Sequence, residues 1–129
     1  MLQGTVPLTD PRWLSTLAAV EQNLSVDTLV YRYRNYGRLD GIPDGEGSFT
    51  ACSFWFIEAL ARSHQIAKAR LLFEKMLGYA NHLGLYSEEI GLSGVHLGNF
   101  PQALTHLALI SAATFLDRSL SDKFMGPWH

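Results

Sequence analysis

The sequence predicts an all-α fold of about four helices in which one-sided and all-round apolar helices alternate. Three observations carry this reading. Apolar residues recur at helical spacing in four stretches, capping residues and prolines stand where helices should start, and the stretches read in order amphipathic, buried, amphipathic, buried. Two concentric shells of helices require that order, because outer helices meet water along one side while inner ones are covered on most faces. Helical repeats and bundles show weaker forms of the same pattern.

The first helix opens at Asp10, a good N-cap, with Pro11 at the first helical position. Trp13, Leu17, Val20 and Leu24 form its apolar stripe, while Arg12, Thr16 and Gln22 face elsewhere. Leu29, Val30, Tyr31 and Tyr33 then make a short extended piece, and the run from Gly41 to Gly47 is loop. Ser48 is expected to cap a second helix reaching about Ser63. Its residues Phe54, Trp55, Phe56, Ile57 and Leu60 leave few polar sides. The third helix, roughly Gln65 to His82, is one-sided again: Ile66, Ala69, Phe73, Met76 and Ala80 align, with Lys68, Arg70, Glu74 and Lys75 off the stripe. A glycine-rich loop runs from Leu83 to Gly98. The fourth helix starts near Asn99 with Pro101 in its first turn and reaches about Arg118. Leu104, Leu107, Ala108, Ile110, Ala112 and Phe115 leave it little polar surface. Residues 121–129 read as an irregular tail after a single unit spanning 1–120.

Bulk composition narrows the function. The 129 residues hold 10 Lys and Arg against 12 Asp and Glu, a formal net charge of −2. That near-balance, without a basic run, lacks the electrostatic footprint of a nucleic-acid or anionic-membrane partner. Hydrophobic residues make up 47% and charged residues only 17%, a low charged share for so short a domain. Either the chain is one piece of a larger core or it is a well-packed helical domain; composition leaves both open. Cys52 is the single cysteine, so no intrachain disulfide forms, and a buried, inert thiol in a reducing, cytoplasmic compartment is expected. No signal peptide is expected, because the first residues lack a charged stretch followed by an apolar core, and no apolar run reaches membrane-spanning length.

The chemistry is sought in the loops before the two apolar helices. Gly45-Glu46-Gly47-Ser48-Phe49 precedes one and Gly98-Asn99-Phe100 the other. If those helices run parallel, both loops open at one end of the fold, and Glu46 and Glu88 share that mouth. In Tyr86-Ser87-Glu88-Glu89, adjacent carboxylates make a candidate acid/base site, although a Glu-Glu pair is more often solvated surface. Glycines on both sides of Glu46 would let the backbone approach a ligand, or Glu46 is simply an acid favoured at a helix N-terminus. Trp55, Phe54 and Tyr86 could stack on sugar rings, but aromatics in such stretches are more often core. The five histidines form no metal-ligand pattern: His82 is expected to end the third helix and His106 to be a satisfied buried histidine. No metal or cofactor is expected, and neither a phosphate-binding glycine loop nor a nucleophile elbow is present.

Three stretches together resemble glycoside hydrolase family 15, the family of glucoamylases, glucodextranases and trehalase-like enzymes. They are Glu46-Gly47-Ser48-Phe49 with Cys52-Ser53-Phe54-Trp55, then Asn81-His82-Leu83-Gly84-Leu85-Tyr86-Ser87-Glu88-Glu89, then Gly98-Asn99-Phe100-Pro101-Gln102-Ala103-Leu104-Thr105-His106-Leu107. Their order matches the end of the family's catalytic domain. The resemblance implies part of an (α/α)6 barrel and an inverting mechanism, in which an acid protonates the glycosidic oxygen while a base activates water. It implies that Glu88 is that base, that Glu89 orients or binds, and that Glu46, Trp55 and Tyr86 contact an α-linked glucoside. Two departures stand out. Gly91 occupies a place where relatives usually carry an acid, and no segment matches the earlier Trp-containing stretch that bears the family's general acid. The expectation is therefore a C-terminal piece of an α-glucoside hydrolase, inactive alone, that self-associates or assembles with the upstream half of the barrel. A small helical interaction module and a non-hydrolytic sugar-binding protein are the alternatives.

Overall fold

The computed structural model describes residues 7–8, 10–26, 28–31, 47–91 and 93–125. Asp10 starts the first helix as expected: its Oδ1 accepts the Arg12 N–H at 2.8 Å, and α1 runs Pro11–Leu24. Leu17 is buried and Trp13, Val20 and Leu24 are half-buried, so the stripe read from the sequence is the face turned inward. The Trp13 indole N–H donates to Ser63 Oγ at 2.8 Å, tying α1 to the far end of the second helix. The extended piece is a small antiparallel pair, β1 (Ser25–Val26) with β2 (Leu29–Val30), registered Ser25 to Val30. Tyr33 lies outside the described residues.

After β3 (Ser48–Phe49), α2 spans Thr50–Arg62 and sits at the centre of the molecule. Phe54, Ile57 and Leu60 are essentially inaccessible, each burial contributing about 1.5–3 kcal/mol. Trp55 is the most open of its large apolar residues, at 36% exposure. The apolar residues on most sides thus find partners: α4 and α3 supply most of them, and β2, β3 and α1 add to these. The expected cap at Ser48 is not what starts this helix. Ser48 is in the strand, with Oγ donating to Ile90 O at 3.2 Å, and Phe49 is the N-cap residue without a side-chain cap. The Thr50 N–H is satisfied by the Glu88 carbonyl at 2.9 Å instead, a partner brought by tertiary structure.

The third helix, α3, covers Ile66–Leu77 and buries Ala69 and Met76, the centre of its expected stripe. It ends at Leu77, five residues short of His82, with Gly78 as its C-cap. The chain then turns, with Asn81 Oδ1 accepting the Leu83 and Leu85 N–H groups at 2.9 Å, and His82 is exposed in that turn. The loop that follows contains β4 (Glu89–Ile90) and β5 (His96–Leu97). These join β3 in an antiparallel three-stranded sheet of order β3-β4-β5. The fourth helix, α4, runs Ala103–Met125, so residues 121–125 are helical where the sequence reading placed an irregular tail. No Gly or Pro lies between Pro101 and Gly126, and nothing local stops the helix.

Ala108, Ala112 and Leu116 of α4 pack on α2, whereas Leu104, Leu107 and Ile110 stand 42%, 64% and 60% exposed. The helix expected to be covered all round is therefore covered on one side by this chain. The four helices with alternating burial make up part of an (α/α)6 barrel. Among the described residues no helix is long and apolar enough to cross a membrane.

Candidate active site

Tyr86, Ser87 and Glu88 form a loop anchored through its main chain. The Tyr86 N–H donates to His106 Nε2 at 3.2 Å and its carbonyl accepts the Gln102 N–H at 3.0 Å. The Ser87 N–H donates to His96 Nδ1 at 3.2 Å and its carbonyl accepts the Thr105 hydroxyl at 3.2 Å. The Glu88 N–H donates to Asn99 O and its carbonyl accepts the Thr50 N–H, both at 2.9 Å. Every main-chain polar group of the three residues is thus paired, as burial demands. The partners come from β5, the start of α2 and the start of α4. Both apolar helices therefore begin at this loop.

The Glu88 carboxylate is half-buried and lies along the Gly98–Asn99 backbone, with Oε2 accepting the Asn99 N–H at 3.2 Å. Gly98 has φ +73°, and a Cβ there would stand 2.9 Å from Oε2. Only glycine allows both that left-handed turn and so close an approach. Gly47 plays a similar part on the other side, since a Cβ would come within 2.7 Å of Ile90 O. Among the described residues no second hydrogen bond holds the carboxylate. The bond to Asn99 fixes one of its oxygens.

The other expected site residues divide. Glu89 follows directly in β4, paired with Phe49 and Leu97, and its carbonyl accepts the Ser87 hydroxyl at 2.6 Å. Trp55 connects to the loop through Phe49, whose ring lies 6.5 Å from its own. Trp55 also lines an apolar groove of about 260 Å³ with Trp13, Leu17, Val30 and Phe56. Tyr86 is only 1% exposed: its ring meets Phe54 edge-on at 5.3 Å and His106 at 6.0 Å, and its hydroxyl donates to Met76 O at 2.8 Å. Enclosed in this way, it anchors the loop to α3 and offers no open face for stacking on a sugar, and burial pushes its phenol up to about 12. Glu46 lies outside the described residues. Sequence reasoning did not single out His96, and it read His106 as a satisfied histidine without its loop contact. Among the described residues no three His, Cys, Asp or Glu side chains gather to hold a metal ion.

Comparison with known proteins places this geometry in a family. The family Glycosyl hydrolases family 15 matches residues 2–114, and the chain belongs to it. It is 47% identical over 120 residues to the trehalase of Mycobacterium tuberculosis, covering 92% of this chain and 18% of that protein. It is 47% identical over 118 residues to the trehalase of Thermoplasma volcanium, covering 91% and 19%, and 30% identical over 112 residues to trehalase 1 of Sulfolobus acidocaldarius, covering 86% and 19%. The chain thus spans about a fifth of the length of the curated relatives it matches. No solved structure matches it.

Proposed function

We propose that this chain is the base-bearing part of an inverting family 15 hydrolase that cleaves an α-glucosidic bond, with trehalose as the substrate to which the relatives' names point. Glu88 is the base. Its half-buried carboxylate, pinned by one oxygen to the Asn99 N–H on a loop with every main-chain group paired, carries the reading. A general base must hold its oxygen within hydrogen-bond reach of a water, and a rigid loop supplies that placement before substrate arrives. Glu89 and Trp55 are substrate contacts around it and the resemblance adds Glu46 to the substrate contacts, while Tyr86 acts from behind as the anchor of the loop.

Inversion requires a second carboxyl group roughly 6.5–9.5 Å from the base. No stretch of this chain resembles the family's acid-bearing segment, so the acid is supplied by the remainder of the domain and this chain by itself is inactive. The exposed stripe of Leu104, Leu107 and Ile110 supports such a partner, the upstream half of the barrel or a second copy. The chain should be mixed with the upstream segment of the domain and assayed on trehalose, maltose and isomaltose. Glucose release that falls by at least about 10²-fold on Glu88→Gln is the expected outcome, and undiminished release sinks the assignment. A stable monomer in sedimentation at micromolar concentration, with no association with the upstream segment, would instead refute the partner. Binding of a glucoside by calorimetry without hydrolysis in the mixture would favour a non-hydrolytic binding protein.

A further inference from the structure

Two imidazoles reach the loop ahead of Glu88 from different elements, and each does the same unusual thing. His96 in β5 accepts the Ser87 N–H at Nδ1, and His106 in α4 accepts the Tyr86 N–H at Nε2, both at 3.2 Å. A backbone N–H can only donate, so each of those ring nitrogens carries no proton. The other nitrogens face carbonyls, which only accept: His96 Nε2 lies 2.7 Å from Tyr79 O, and His106 Nδ1 lies 2.6 Å from Gln102 O. Those nitrogens therefore hold the proton. His96 is the neutral Nε2–H tautomer and His106 the neutral Nδ1–H tautomer.

We propose that His96 and His106 are positioning residues for Glu88, a pair of neutral imidazoles of opposite tautomer that clamp the two main-chain N–H groups immediately before it. The inference rests on the reading of Glu88 as base. Ring packing holds each clamp in place: Phe100 stands perpendicular to His96 at 5.5 Å, and Tyr86 meets His106 at 6.0 Å. Both rings are bridges as well as acceptors. His96 ties the loop to the turn after α3, and His106 ties it to the first turn of α4. Losing either leaves a buried or half-buried N–H without a partner and lets the loop that aims the carboxylate drift.

The test begins on the full chain with nitrogen-15 NMR of the histidine rings. Expected are one pyridine-type nitrogen at Nδ1 of His96 and one at Nε2 of His106. Doubly protonated rings, or tautomers the other way round, overturn the clamp. Amide exchange in variants follows. His96→Leu should accelerate exchange of the Ser87 amide, and His106→Leu that of Tyr86, by roughly tenfold to a hundredfold, the worth of one hydrogen bond to a buried donor. His96→Asn and His106→Gln, which return an acceptor oxygen near the same place, should restore most of the protection. Unchanged exchange in the leucine variants overturns the proposal.

In the chain mixed with the upstream segment, the leucine variants should lower kcat by about tenfold or more with KM little changed, because misplacing a reacting group costs turnover. The acceptor variants should recover it. Activity that survives Glu88→Gln overturns the base assignment. Activity lost with Glu88→Gln but untouched by both leucine variants overturns the clamp alone.

Discussion

Gly98→Ala places a methyl group where the Glu88 carboxylate now rests, and three effects set its cost. The residue has φ +73°, a region costing an L-residue about 1–2 kcal/mol. The added carbon would stand 2.9 Å from Oε2 and 3.2 Å from Cβ of Glu88, so the side chain must move, at a further cost of about 1–3 kcal/mol. Against this, alanine lowers the entropy of the unfolded chain and returns about 0.4–1 kcal/mol. The net loss is about 1–5 kcal/mol. Gly84 supplies the control, because it has φ +75° and a methyl group there would meet nothing within 4 Å. Gly84→Ala bears only the backbone cost, about 1 kcal/mol net.

Urea unfolding of the full chain, followed by far-UV circular dichroism, measures both losses. The excess at Gly98 should shrink when the substitution is made in a Glu88→Ala background, where the carboxylate is gone and only the 3.2 Å contact with Cβ of residue 88 is left. Equal losses for Gly84→Ala and Gly98→Ala, or an excess undiminished in the Glu88→Ala background, would show that the carboxylate does not lie against the Gly98–Asn99 backbone. Activity in the mixture with the upstream segment should fall with Gly98→Ala and hold with Gly84→Ala.

Three further outcomes are expected. The Tyr86 phenol is held neutral, at about 12 when folded against 10.0 when free, so its contribution is fully present below pH 10 and is lost as pH rises towards 12. That loss is on the order of 2–3 kcal/mol, and alkaline unfolding of Tyr86→Phe should lack this limb; a limb of the same size in the variant refutes the assignment. Glu58, 2% exposed in α2, accepts Arg62 Nη2 at 2.8 Å and the Ser111 hydroxyl at 2.7 Å. Glu58→Ala should cost about 3 kcal/mol in urea unfolding, with both partners left behind, and a loss under about 1 kcal/mol would mean that Arg62 is satisfied by water. Leu107→Glu, at a residue 64% exposed in this chain, should leave its stability within about 0.5 kcal/mol while weakening association with the upstream segment or with itself. Undiminished association in sedimentation would exclude that face of α4.

The parts of this fold legible in the sequence are those decided within a few residues. Asp10 and Pro11 mark the start of α1 because capping is local, and the stripes of α1 and α3 appear because burial on one side imposes a period. Local signals also exist for the two boundaries that the periodicity misplaces: Gly78 for the early end of α3, and the lack of any breaker before Gly126 for the length of α4. What escapes the sequence is what distant residues decide. Ser48 looks like a cap because its chemistry suits one, yet the donor at Thr50 goes to a carbonyl of the Glu88 loop, which no local pattern encodes. Tyr86 looks like a sugar platform because a loop aromatic beside carboxylates suits that role. Its hydroxyl instead pairs with Met76 O at the end of a different helix, and that contact exists only once α3 and the loop are packed. The same holds for the site as a whole. Glu88 can be found by its neighbours in sequence, but its geometry is set by Thr50, His96, Asn99, Gln102, Thr105 and His106, which converge from β5 and the starts of two helices. A carboxylate on a loop is common surface chemistry. One whose supporting main chain is bonded at every polar group has lost the freedom that a solvated glutamate would keep, and that loss of freedom is what a positioned base requires.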